Sequence, residues 1–301
     1  MDGTLHIEAS RPAHAMSHEV TLQSTRLATL AVQALIAEVT LTPKPGLVDL
    51  RGSGAHRDLD WALMCDSASA LHPTFESMAL AAAAINDPQA LREELGRIGR
   101  EGETVMLRTT GGVNTHRGAI WSLGLLVAAA AQEEDTAESI AARAGTIARR
   151  SDRHAPAITG NKGELACMAY GVGGARGQAM AGFPHVVGIA LPRLRSARLR
   201  GADEGHARLD ALLAVIAQLD DTCVLSRGGM RALHAMQSGA CAVLQANDPA
   251  QRESLLRQLE LQALMLGVSP GGAADLLAAT LFLDSLATPA NQEGKACAWK
   301  E

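Results

Sequence analysis

Aromatic side chains are scarce in this 301-residue chain: three Phe, three Trp and one Tyr, 2% of the residues. Strand-rich folds draw on aromatic and β-branched residues. Here alanine and leucine fill most apolar positions, so the composition points to an all-α protein. Cysteines are few, and Cys65, Cys167, Cys223, Cys241 and Cys297 form an odd set with no C-x-x-C pair. That argues against a disulfide framework and a zinc site, and fits reduced thiols in a cytoplasmic protein. No positive excess exists: the formal net charge is −5, which leaves no basic field for nucleic acid. The longest apolar run, Ala119 to Ala131, contains Ser122 and falls short of the ~20 residues a bilayer span requires. Met1 to Val20 lacks the apolar core of a signal peptide. Neither a membrane nor a nucleic acid is expected as a partner.

What the chain does have is a set of polar, glycine-rich loops feeding apolar helices. Thr109 to Gly118 runs into the Ala119–Ala131 helix, and a loop at a helix start offers unpaired N–H groups and a positive dipole end to an anion. His116 and Arg117 add donors for a phosphate. The alternative is a plain cap, with Asn114 or Thr115 at the N-cap and Gly111 and Gly112 turning the chain.

Upstream, residues 1–23 read as a loose tail, and periodicity begins with Leu27, Leu30, Ala31, Ala34 and Leu35 on one helical face. Glu38 falls on that face and is aimed inward, unless it bends out to water at the helix end. Pro43 and Pro45 then hold Lys44 in an extended segment that leads to Asp49. Trp61, Met64, Ala68, Leu71, Phe75 and Met78 mark the next helix, with a kink at Pro73. Leu91 to Arg108 forms another.

The glycine cluster before Arg176 is not a dinucleotide fingerprint, because its final glycine position is Arg176 and no strand precedes it. It can present Arg176 to a phosphate or mark a close helix crossing. Leu194 to Arg200 reads as an exposed basic connection. Leu209, Leu212, Leu213 and Ile216 set a helix face on which Asp220 also lies, followed by Asp221. Adjacent carboxylates there are costly to bury without a cation, and hard oxygen ligands suit magnesium. Asp275, near the start of the last helix, joins them in the expected metal set, though the helix dipole alone would favour it. The expected organisation is one all-helical catalytic domain, 24–288, between the tail and a C-terminal extension, 289–301.

Taken together, the motifs resemble the triphosphoribosyl-dephospho-CoA synthase family, also called ATP:dephospho-CoA triphosphoribosyl transferase. The resemblance rests on Glu38 to Asp49, Gly54-Ala55-His56-x-Asp58, Thr110-Gly111-Gly112-Val113-Asn114-Thr115-His116, Gly174-Ala175-Arg176-Gly177, Asp221-Thr222 and Ser269-Pro270-Gly271-Gly272-x-Ala274-Asp275. The run Leu219 to Leu225 looks most like the malonate decarboxylase branch. The citrate lyase branch tends to carry Asn where Cys223 stands and Glu where Gln178 stands.

The resemblance implies that the triphosphoribosyl group of ATP moves from adenine to the 2′-hydroxyl of 3′-dephospho-CoA, making a prosthetic-group precursor that a downstream enzyme mounts on an acyl carrier protein. Such a substitution needs an acid, a base and a carboxylate against developing positive charge. Glu38, Asp49 and Asp58 are the catalytic candidates, and Asp220, Asp221 and Asp275 the candidates for Mg2+. Lys44, His116, Arg117, Arg176 and Arg227 supply charge for the phosphates, with His56, Gly111, Gly112, Asn114, Thr115, Ser269, Gly271 and Gly272 completing the nucleotide contacts. Two alternatives stand beside this reading: a magnesium-dependent hydrolase like the ADP-ribosylglycohydrolases, and a helical nucleotide-binding scaffold without turnover. Oligomeric state is open, a homodimer included.

Overall fold

The periodicity from Leu27 onward becomes helix α1 (His18–Thr40) in the computed structural model, which describes residues 17–132, 136–156 and 158–287. Ser17 caps it, its hydroxyl accepting from the Val20 N–H. The helix therefore starts inside the segment expected to be tail, and residues 18–23 are its first turns; residues 1–16 and all of 289–301 lie outside the described residues. Leu27, Leu30, Ala31, Ala34 and Leu35 are buried as the spacing requires, and Glu38 is carried inward with them.

Pro73 ends one helix and begins the next, since α2 (Trp61–Ala70) gives way to α3 (His72–Ala84) with the proline in its first turn, where no N–H is missed. Asp87 caps α4 (Pro88–Thr109), and after the glycine loop comes α5 (Arg117–Ala130). Almost every side chain of α5 from Ala119 onward is buried, the mark of a helix enclosed on all sides. It packs against α1, α3, α4, α6 (Ala137–Ala148) and α13 (Gly271–Ala287). The alanines along these helices let their axes come close, and Leu35, Phe75, Leu123, Leu126 and Phe282 fill the space between them. Each such large side chain contributes roughly 1.5–3 kcal/mol on burial.

The remaining helices are α7 (Lys162–Tyr170), α8 (Gly174–Met180), α9 (Leu191–Leu199), α10 (Glu204–Ile216), α11 (Thr222–Gln245) and α12 (Pro249–Leu266), with a π-helical turn at Val186–Ala190. No strand occurs among the described residues, only an isolated bridge between Asp49 and Gly52. The fold is all-α.

Two sequence expectations need correction. The basic stretch 194–200 is not an exposed connection but most of α9, with Leu191, Leu194 and Ala197 buried on one face. Its arginines are drawn to carboxylates across the packing, Arg195 and Arg198 to Asp284. Apolar residues at every third position, not the charge, decide its state. Asp220, in turn, is off the helix: α10 ends at Ile216, and Asp220 lies exposed in the turn that follows. Extending the helical spacing past the true end of α10 put it on the wrong side.

Residues 41–60, between α1 and α2, fold into a long loop pinned from both sides. Val39, Val48 and Leu59 form a small core of their own beneath it. Gly46 has φ +73°, and a Cβ there would lie 2.6 Å from the Val268 carbonyl oxygen, so only glycine lets the loop seat against the segment that leads into α13.

Candidate active site

Three helices, α5, α11 and α13, start close to the end of α1, and the buried charges of Glu38, Lys44 and Asp221 lie there with Asp275. Lys44 is 1% exposed, and its ammonium donates to the Glu38 carboxylate at 2.5 Å and to the Glu38 carbonyl oxygen at 2.7 Å. Glu38 thus takes two of its three donors.

Asp49 holds the loop together. It accepts from the Lys44 N–H (3.0 Å), the Arg51 N–H (2.8 Å) and the Arg51 guanidinium, which also reaches Glu260 on α12. Both of its oxygens are thereby engaged, which sets it apart from Glu38 as a proton-transfer group. Asp58 is exposed, near His56. His56 accepts at Nδ1 from the Arg227 guanidinium (3.2 Å), and burial together with that cation pushes its pKa down to about 4 despite Asp58.

Asp221 is 3% exposed and ties two helix starts to each other. One oxygen caps α11 through the Cys223 N–H (2.8 Å), the other accepts the Ala273 N–H of α13 (2.9 Å). A Cβ on Gly272 would lie 3.1 Å from both oxygens, so a larger residue there would press on the Asp221 carboxylate. Burial still pushes its carboxyl above the usual range, against the pull of those backbone donors. Asp275 is pushed up further, by burial first and then by Glu38 and Asp221. It lies against the first turn of α5, where a Cβ on Gly118 would overlap its carboxylate. Burial and the same two aspartates also raise the Cys223 thiol.

The loop before α5 is part cap, part site. Asn114 Oδ1 accepts from the Arg117 N–H (3.2 Å), Thr110 fastens the turn through the Val113 carbonyl, and Gly111 and Gly112 stand exposed with positive φ. Arg117 pairs with Glu103 at 2.9 Å, so its charge is shared. His116 is 3% exposed, and burial and Lys44 push its pKa down to about 4; it brings no positive charge to a phosphate. Its Nδ1 meets the Ser67 hydroxyl at 3.0 Å, which in turn meets Thr115 Oγ1 at 2.6 Å, while Nε2 has no partner. Sequence reasoning missed Ser67. The available signal was a hydroxyl next to Ala68, between Met64 and Leu71 on the apolar stripe of α2.

Ser269, 1% exposed, likewise leaves its Oγ without a partner just before α13, followed by Gly271 and Gly272. Arg176 is exposed on α8, facing Arg92, whose guanidinium stacks on Trp121 at 5.0 Å. The structure thus brings Glu38, Lys44, His116, Asp221, Ser269 and Asp275 together and leaves Asp220 outside. Among the described residues no group of three or more His, Cys, Asp and Glu side chains is arranged to hold a metal ion by itself. That does not disfavour Mg2+, which is ordinarily held by one or two carboxylates and by substrate phosphates. Asp275 fits such a role, because the carboxylates beside it disfavour its charge and a cation would relieve them.

An all-helical protein with carboxylates, a buried lysine and neutral histidines gathered at several helix starts is built as an enzyme acting on an anionic substrate. Residues 24–294 match the model of the ATP:dephospho-CoA triphosphoribosyl transferase family, and the chain belongs to that family. It is 58% identical over 267 residues to a probable 2-(5''-triphosphoribosyl)-3'-dephosphocoenzyme-A synthase of Azotobacter vinelandii, covering 87% of this chain and 91% of that protein. It is 51% identical over 280 residues to the 2-(5''-triphosphoribosyl)-3'-dephosphocoenzyme-A synthase of Klebsiella pneumoniae, covering 92% and 98%. No solved structure matches the chain.

Proposed function

We propose that the protein transfers the 5-triphosphoribosyl group of ATP to the 2′-hydroxyl of 3′-dephospho-CoA with release of adenine. One observation carries this reading beyond family membership: Glu38, fixed by Lys44, lies buried beside Asp275 and Asp221 where α5, α11 and α13 begin. Substitution at a ribosyl carbon builds positive charge at the anomeric centre, and a carboxylate held in place beside it stabilises that charge without reorganising. The helix starts suit the opposite charge of the phosphates. Arg227 and Arg176 provide the outer cations.

Asp275 is the residue that would hold Mg2+ together with the ATP phosphates, where the ion would neutralise phosphate charge. Asp221, saturated by backbone donors, keeps α11 and α13 in register for that site. The run Leu219 to Leu225 supports the finer reading that the product is the prosthetic-group precursor for the acyl carrier protein of malonate decarboxylase. The same reading puts the enzyme in the cytoplasm, and among the described residues no helix is long and apolar enough to cross a membrane.

The test is adenine release from ATP with and without 3′-dephospho-CoA, with the product identified by mass. Release that requires the acceptor and yields the triphosphoribosyl adduct is the expected outcome. Equal release without it would mean a hydrolase, and none under any condition a binding protein.

A further inference from the structure

His116 is the buried imidazole of the site, and the fold leaves its Nε2 without a partner. Its ring is gripped on one side only: Nδ1 by the Ser67 hydroxyl at 3.0 Å, and Ser67 by Thr115 Oγ1 at 2.6 Å. Its own backbone N–H is tied to Met106 Sδ at 3.2 Å, so ring and main chain are both fixed before any substrate arrives. Ser67 is fully buried on α2, which makes the tether independent of solvent. Nε2, by contrast, is buried and unpartnered, a position that is costly unless a ligand fills it. Two residues on, at Gly118, α5 touches the Asp275 carboxylate, and the Lys44 ammonium acts on the His116 ring, so the imidazole stands near the Glu38–Lys44 pair and Asp275.

We infer that His116 is the group that takes the proton of the attacking acceptor hydroxyl, and that Ser67 is its positioning residue. This rests on the transferase reading above. In this arrangement Nδ1–H donates to Ser67 Oγ, the Ser67 hydroxyl donates to Thr115 Oγ1, and the Nε2 lone pair is left as the acceptor. The step balances as follows. Nε2 receives the proton of the 2′-hydroxyl, and an oxygen lone pair of that hydroxyl forms the new bond to the ribosyl carbon. The bond from that carbon to N9 breaks with its electron pair going to adenine, which takes a proton from water, and His116 returns its proton to water. Burial and the neighbouring Lys44 ammonium keep the imidazole neutral, hence able to accept. The hydrogen-bonded tether supplies orientation, the contribution a general base most needs from its surroundings.

Two substitutions and one spectrum test this. His116→Asn keeps a polar atom near Nδ1 for Ser67 while removing Nε2, so the fold should hold, checked by its thermal transition. Its turnover in dephospho-CoA-dependent adenine release should fall about 10²-fold or more. Binding of ATP and of 3′-dephospho-CoA, each titrated calorimetrically, should stay within about threefold. Ser67→Ala should slow turnover about fivefold to tenfold, the loss of one hydrogen bond, and Ser67→Thr should restore it. Nitrogen NMR of the free enzyme should show His116 protonated on Nδ1, with that tautomer lost in Ser67→Ala. A His116→Asn enzyme with weakened ATP binding and intact turnover would make His116 a phosphate ligand and overturn the inference. So would an Nε2–H tautomer, or turnover within about threefold of wild type. If the wild-type protein releases no adenine with dephospho-CoA, it is the transferase reading that fails, and the NMR spectrum still decides what Ser67 does to the ring.

Discussion

Lys44 Nζ and Glu38 Oε1 lie 2.5 Å apart, six residues from each other in sequence and both almost completely buried. The pair is a preorganised feature: the loop around Pro43 and Pro45 delivers the ammonium to the last turn of α1, where Glu38 waits on the core face. Two charges removed from water can be sustained only while both are present, and the loss of one leaves the other uncompensated.

Lys44→Met should therefore lower folding stability by about 3–5 kcal/mol, read from denaturant unfolding. Adding Glu38→Gln to it should recover part of that loss, because the stranded carboxylate is gone. Additive losses in the double variant would show that the two side chains do not support each other.

Asp221 should behave as a strap rather than a chemical group. Asp221→Ala removes the acceptor for N–H groups of both α11 and α13, and a loss of about 2 kcal/mol or more in stability is expected. A change below about 0.5 kcal/mol, within the range of ordinary surface substitutions, would contradict this assignment.

Asp275 and Asp220 make a matched pair for the metal. Asp275→Asn should raise the Mg2+ concentration needed for half-maximal adenine release by about tenfold, the scale of one lost charge-assisted contact. Asp220→Asn, altering an exposed side chain, should leave it unchanged. Equal responses from the two would remove Asp275 from the magnesium site.

His116 makes stability depend on pH with a definite sign. Its ordinary pKa of 6.5 drops to about 4 in the folded protein, so between those values the unfolded chain binds a proton the native one refuses. Stability must then rise with pH across that window, by up to about 3 kcal/mol, and level off above it. Asp221 and Asp275, whose carboxyls are pushed up, contribute the opposite slope from their ordinary value upward. Their slope is common to wild type and His116→Asn, so it cancels in the difference between the two stability curves. A difference that shows no trend between pH 4 and 6.5 would refute the buried neutral ring.

Much of this was legible from residue order. The 3.6-residue spacing from Leu27 to Leu35 carries Glu38 inward, and the helix bears this out. The apolar run after His116 reads as a buried helix and is one. Where the reading failed, local pattern had been extended beyond its cause. Asp220 was assigned by continuing a helix past its end, and residues 194–200 were judged by their charge although Leu194 and Ala197 carry that helix's buried face.

The sequence by itself determined that the chain is helical, where its polar loops fall, and which carboxylates cluster near helix ends, because these depend on spacing along one chain. Tertiary structure alone decided the partners. Lys44 turns to Glu38 rather than outward, Asp221 joins two helix starts by accepting from Ala273, 52 residues on, and Ser67 from α2 meets His116 at the start of α5. A side chain's charge, tautomer and free donors depend on what lies within a few ångströms of it, and packing alone brings residues from distant helices into that range.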